Sequence, residues 1–224
     1  MGEKKTLDSS LLDFLKQRQT PRDFFINGDI VKAVDIELKG FEFFFTLAGL
    51  DERTKKELRI ILSEARRLPA ALGGFHGDYP GGLFDHTLLV VNYANFLCSS
   101  LKDKSWLQKV LLTAICHDFG KIQHYGFKLN LKDRKIKIHV SEAEAVRSEL
   151  IIRFSLSGKD RHVENGIAVI KKYLTIYDLL FDEEMHLALA FHHGSWSKYQ
   201  PQKMNAMASL IHVADMVASQ ILKI

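Results

Sequence analysis

LLTAICHDFGK, residues 111–121, is the stretch whose reading decides the fold. Its apolar part reads as a buried helix, with Leu107, Leu111, Ala114, Ile115 and Asp118 on one stripe. An imidazole and a carboxylate then appear side by side, as His117 and Asp118. Burying Asp118 at the end of such a run is costly unless a cation meets it. Neutral imidazoles and carboxylates are the groups that hold Zn, Mn, Fe or Ni, and carboxylates also suit Mg. Neighbours on a helix project about 100° apart, so His117 and Asp118 can flank one ion or two adjacent ions. Lys121 lies three residues beyond Asp118 and four beyond His117, on the same side. Its ammonium is placed to meet whatever the metal binds.

The rest of the chain supplies partners in order. His86 opens an amphipathic helix that is entered from the Gly-rich loop LGGFHGDYPGGL, residues 72–83. His162 follows Gly158-Lys-Asp-Arg161 and opens another helix. The doublet His192-His193 ends the apolar run LALAF ahead of Gly194, a helix stop. Asp215 shares a stripe with Ala208, Ile211, Ala218 and Leu222, where a lone carboxylate needs either an ion or a buried salt bridge. In the loop before His86, His76 is a candidate substrate contact. His212, one turn before Asp215, is placed to orient a ligand. His124, His139 and His186 read as structural or exposed.

Outward from this set, the 224 residues make one domain or one domain with an N-terminal appendage: residues 1–50 as a segment that either packs on the core or forms a separate lobe, and 51–224 as the domain proper. The structure of residues 1–50 is open; within it Val31 to Thr46 fits either a hairpin or a Gly-broken helix pair. Helices are expected over Thr54–Leu72, from Phe84 onward, and over Val163–Leu180, Glu183–His193 and Asn205–Leu222. On the first of these, Lys55, Lys56, Arg59, Arg66 and Arg67 read as a solvated face. Lys128 to Val140 alternates apolar and polar residues around a Lys-Asp-Arg turn, which predicts an inserted β-hairpin with five basic residues. A net charge of +4 suits a phosphate-bearing substrate and is far from the footprint of a dedicated nucleic-acid binder. No run approaches about 18 apolar residues and no apolar leader is visible, so the expectation is a cytoplasmic protein without a membrane span. Cys98 and Cys116, the two cysteines, sit in apolar helical stretches and read as buried free thiols.

The order H…HD…H…HH…D, from His86 to Asp215, resembles the HD superfamily of metal-dependent phosphohydrolases. The phrase GFHGDYPGGLFDHTLLVV is similar to the lead-in of HD domains in bacterial 3′-to-5′ exoribonucleases, and a related lead-in occurs in HD-like domains associated with conjugative relaxases. The resemblance implies a mainly α fold, an HD-domain helical bundle. It implies that His86, His117, Asp118 and Asp215 hold one divalent ion, and that His162, His192 and His193 add a second with Asp118 as the bridge, as in binuclear members. The expected activity is hydrolysis of a nucleotide-type phosphomonoester or phosphodiester through a metal-bound hydroxide, with Asp118 and Lys121 catalytic and Lys121 and His76 on the substrate. Two alternatives stand beside it: 3′-to-5′ cleavage of single-stranded RNA or DNA, and a non-catalytic metal-stabilised nucleotide-binding or interaction domain. The substrate, the native metal, the number of ions and the oligomeric state are left open.

Overall fold

The computed structural model describes residues 39–72, 75–79, 81–99, 103–131, 134–139, 151–156, 162–194 and 204–222. Eight α-helices are found among them: α1 (Phe41–Leu47), α2 (Glu52–Ala65), α3 (Gly82–Cys98), α4 (Lys104–Cys116), α5 (His162–Tyr173), α6 (Tyr177–Leu180), α7 (Glu183–Phe191) and α8 (Ala206–Met216). A 3-10 turn, Phe119–Gln123, follows α4, and a π-helical segment, Val217–Ile221, continues α8. The protein is mainly α.

Several helix starts are written in the sequence as caps. The side chains of Asp51, Asp103, Asp182 and Asn205 accept from backbone N–H groups in the first turns of α2, α4, α7 and α8. Each satisfies donors that a helix leaves without an internal partner. α3 is buried on nearly every side, packed against α2, α4, α8 and the π segment. It forms the centre of the bundle, and His86 is its fifth residue. Cys98 and Cys116 are both free and buried, and burial pushes both thiols up.

Some boundaries differ from the sequence reading. The helix expected over Thr54–Leu72 ends at Ala65, because Pro69 disfavours helical backbone just before it. Arg66, read as solvated, lies over the Phe84 ring at 3.9 Å, and burial lowers its pKa. The helix expected over Val163–Leu180 breaks after Tyr173. There Glu57 of α2 accepts from both the backbone N–H and the hydroxyl of Thr175, which fixes Thr175 as a junction.

Within Val31–Thr46, residues 31–38 lie outside the described residues. Gly40 is the N-cap of α1, so the Phe41–Phe45 run is helical. Phe41, Phe44 and Phe45 enter the core, Phe41 edge-on to Phe84 at 5.0 Å. Buried Asn92 of α3 ties this segment down, accepting from Lys39 N–H and donating to the Lys39 carbonyl.

Where a hairpin was expected, β1 (Tyr125–Leu131) pairs antiparallel with β2 (Arg134–His139). A third strand not anticipated from sequence, β3 (Ile151–Leu156), pairs on the other edge of β1. The order is β2-β1-β3. Among the described residues no helix is long and apolar enough to cross a membrane.

Candidate metal centre

Five pieces of chain bring the histidines together. α3 contributes His86, the end of α4 contributes His117 and Asp118, and the start of α5 contributes His162. The end of α7 contributes His192 and His193, and α8 contributes Asp215. Asp118, His86, His117 and His192 are almost fully buried.

Asp118 is the hub. Its Oδ2 lies 3.5 Å from His117 Nε2 and 3.6 Å from His86 Nε2. Its Oδ1 lies 3.7 Å from His192 Nε2 and 3.8 Å from His162 Nε2. One carboxylate therefore turns a different oxygen toward each of two imidazole pairs. Asp215 joins both sides: Oδ1 is 3.1 Å from His86 Nε2, and Oδ2 is 3.6 Å from His193 Nδ1. His193 Nε2 meets His162 Nε2 at 2.7 Å, a hydrogen bond in which one ring donates.

The tautomers are set by backbone. His117 Nδ1–H donates to the Ala114 carbonyl at 2.8 Å, and His192 Nδ1–H donates to the Leu189 carbonyl at 2.7 Å. Each carbonyl lies three residues earlier on the same helix, so both rings present an Nε2 lone pair inward. Those Nε2 atoms and Asp118 Oδ1 are buried and have no hydrogen-bond partner among the described residues. Buried polar atoms are seldom left in that state.

Electrostatics agree with the geometry. Burial holds His117 down at about 4 and His193 at about 2, so both rings are neutral and able to ligate. Burial opposes ionisation of Asp118, but the Lys121 ammonium above all outweighs it, leaving the acid well below the usual carboxylate range. Burial likewise opposes ionisation of Asp215, and the hydrogen bond from His86 overcomes it. The ligand types, their ionisation and their free lone pairs fit a divalent ion. Two ligands at about 2.1 Å from one ion stand about 3.0–3.4 Å apart, and the spacings here are within a few tenths of an ångström of that. Two overlapping groups each bring their ligand atoms within 4.8 Å of one another: His86, His117 and Asp118; and Asp118, His162, His192 and His193.

Lys121 lies in the 3-10 turn with Nζ 2.6 Å from Asp118 Oδ2. His76 lies against His86 with ring centroids 4.9 Å apart and the rings tilted by 40°, its buried Nε2 has no hydrogen-bond partner among the described residues, and burial lowers its pKa to about 3. His212 Nδ1–H donates to the His192 carbonyl at 2.7 Å.

Two histidines read as structural or exposed divide. His186 does have a structural role, sharing a 2.8 Å hydrogen bond with the Tyr177 hydroxyl. His124 is buried beside His162, with centroids 5.7 Å apart, and so borders the centre. The sequence signal was its position three residues past Lys121 on the same turn. His139 sits in β2, and its side chain is outside the described residues.

The HD domain family model matches residues 83–219, more than half of the chain. The chain belongs to the HD domain family. Its members are, as a class, metal-dependent phosphohydrolases, and the buried His/Asp groups of this HD domain are of the kind that hold a divalent ion. No curated protein and no solved structure matches the chain.

Proposed function

We propose that this HD domain hydrolyses a nucleotide-type phosphomonoester or phosphodiester at a centre that holds two divalent ions. The observation that carries this reading is the division of Asp118, with Oδ2 toward His86 and His117 and Oδ1 toward His162 and His192. A bridging carboxylate needs that division and a single-ion ligand does not. His86, His117, Asp118 and Asp215 form the first subsite, and Asp118, His162, His192 and His193 the second. Ions of the Mn, Fe, Ni, Zn or Mg type held there supply Lewis-acid charge and make water acidic enough to act near neutral pH.

The protein's own groups do the rest. Lys121 sets a positive charge at the edge of the centre, where it can exchange its contact with Asp118 for a phosphoryl oxygen as negative charge develops. His76, whose ring lies beside His86 and whose Nε2 has no hydrogen-bond partner among the described residues, suits a contact to a phosphate oxygen. Burial of the carboxylates and imidazoles keeps bulk water from screening these interactions.

The test is metal content by elemental analysis, wild type against Asp118→Ala and Asp118→Asn, followed by a nucleotide panel with added Mn²⁺. Two ions in wild type, their loss in both variants and turnover of a panel member support the proposal. Equal metal in all three proteins sinks the assignment, and a metal-loaded protein that turns over nothing favours the non-catalytic reading.

A polynucleotide substrate is a second reading, motivated by the sheet register. Lys128 stands opposite Lys137 on one side and Arg153 on the other, so three basic positions share one row of the sheet. Oligonucleotide affinity that falls steeply with salt supports it, and salt-insensitive or absent binding counts against it.

A further inference from the structure

His212 is a histidine that the metal centre does not use as a ligand, yet it holds one wall of that centre. α7 ends at Phe191 with His192 as its C-cap, so the His192 carbonyl lies beyond the helix's own hydrogen bonds. His212 Nδ1–H takes that carbonyl at 2.7 Å. The same ring covers Gly194, which turns the chain away at φ +56°. A Cβ on Gly194 would stand 2.9 Å from both Cε1 and Nε2 of His212. His212 is thus fitted to the backbone on both sides of His193.

On α8, His212 and Asp215 are three residues apart and share a side. Asp215 Oδ2 reaches the His193 ring at 3.6 Å, while His212 holds the backbone from which that ring projects. One helix therefore grips His193 by its ring and by its main chain. On the other side of the centre, His117 is oriented by its own helix through the Ala114 carbonyl.

We infer that His212 is a positioning residue for the second ion, setting the occupancy of the Asp118, His162, His192 and His193 subsite without touching the ion. The inference rests on the two-ion reading above. It makes the two subsites separately tunable, with His212 acting on one alone.

The experiment is Mn²⁺ titration of the metal-stripped protein, read as stoichiometry and affinity, on wild type, His212→Phe and His212→Asn. Phe keeps a flat ring over Gly194 and removes the donor; Asn keeps a donor at the Nδ1 position. For His212→Phe one of the two ions should lose about 10- to 100-fold in affinity, the range for removing a partner that orients metal ligands. The other ion should hold its wild-type affinity, and His212→Asn should recover much of the loss. Two ions bound with unchanged affinities in His212→Phe overturn the inference, even if the melting temperature falls. Equal weakening of both ions also overturns it, because His212 would then brace the whole fold. A wild-type stoichiometry of one overturns instead the two-ion reading on which the inference stands.

Discussion

Gly120 and His162 approach backbone to backbone. A Cβ on Gly120 would collide with the His162 carbonyl oxygen and lie 2.6 Å from its carbon and 2.9 Å from the Gly166 nitrogen. The first turn of α5 is therefore laid directly on the 3-10 turn that follows Asp118, and the pair is among the most extensive contacts between elements. This approach sets the 3.8 Å between His162 Nε2 and Asp118 Oδ1.

Gly120→Ala must push α5 away, because backbone atoms cannot rotate aside as a side-chain tip can. The expected cost is on the order of 3 kcal/mol, the upper end for overpacking. For a chain of this size that lowers Tm by about 2–4 °C per kcal/mol. Gly166→Ala is the control, since a Cβ there meets only the Gly120 nitrogen, at 3.9 Å. Thermal melts in which both variants behave alike would show that the close approach is not what matters.

Lys121 and Asp118 make the shortest ion pair in the centre, 2.6 Å, with both groups buried. The ammonium shares Oδ2 with the proposed first ion subsite and would repel a cation bound there. Lys121→Met is therefore expected to bind Mn²⁺ severalfold more tightly while hydrolysing bis-p-nitrophenyl phosphate about 10²–10³-fold more slowly, the usual loss when a charge-stabilising donor is removed. Calorimetric titration and steady-state rates measure the two effects separately. A variant that weakens metal binding and leaves the rate untouched would contradict the role assigned to Lys121.

The candidate centre was legible in the sequence because its residues break an apolar pattern. Asp118 after LLTAIC and Asp215 on a core stripe each stand out as a charge where none belongs without a partner. His192 and His193 stand out by ending an apolar run at a glycine. Less legible were features that depend on contacts distant in sequence. The break at Thr175 is imposed by Glu57, and the loss of solvent from Arg66 by Phe84. Periodicity carries neither signal, because each comes from a residue on another helix. β3 was missed for the same reason: its partner lies across the intervening hairpin, and strand pairing at that separation leaves no local mark. His124 was passed over because a histidine after Gln123 resembles any polar helix end until His162 is folded beside it.

Asn92 makes a separable prediction about the N-terminal side. Its side chain bonds both the N–H and the carbonyl of Lys39, and donates to Leu88 as well. Asn92→Ala removes the link between α3 and the chain leading into α1. The expected loss is about 1–3 kcal/mol, the cost of removing one partner of a buried polar group. Metal content should be unchanged, because Asn92 lies nearly two turns beyond His86. Chemical denaturation checks the first statement and elemental analysis the second; loss of metal in this variant would mean that α1 braces the centre.

Metal removal tests the centre as a whole. Within one small volume the fold buries two carboxylates and at least four imidazoles, and the Nε2 atoms of His117 and His192 have no hydrogen-bond partner among the described residues. An ion that binds this array only in the folded state adds RT ln(1 + [L]/Kd) to stability, about 2.7 kcal/mol at a hundredfold excess over Kd. At about 2–4 °C per kcal/mol, re-adding Mn²⁺ or Zn²⁺ to chelator-treated protein should raise Tm by roughly 5–11 °C. The rise should continue with the logarithm of free metal, because the linkage has no plateau while the unfolded chain does not bind. Asp118→Asn should abolish most of the shift, since the amide loses the charge that faces both imidazole pairs. Calcium is the selectivity control, because a site rich in imidazole favours transition metals over a hard cation. A Tm that ignores Mn²⁺ and Zn²⁺, or that responds equally to Ca²⁺, would remove the physical basis for reading these histidines as ligands.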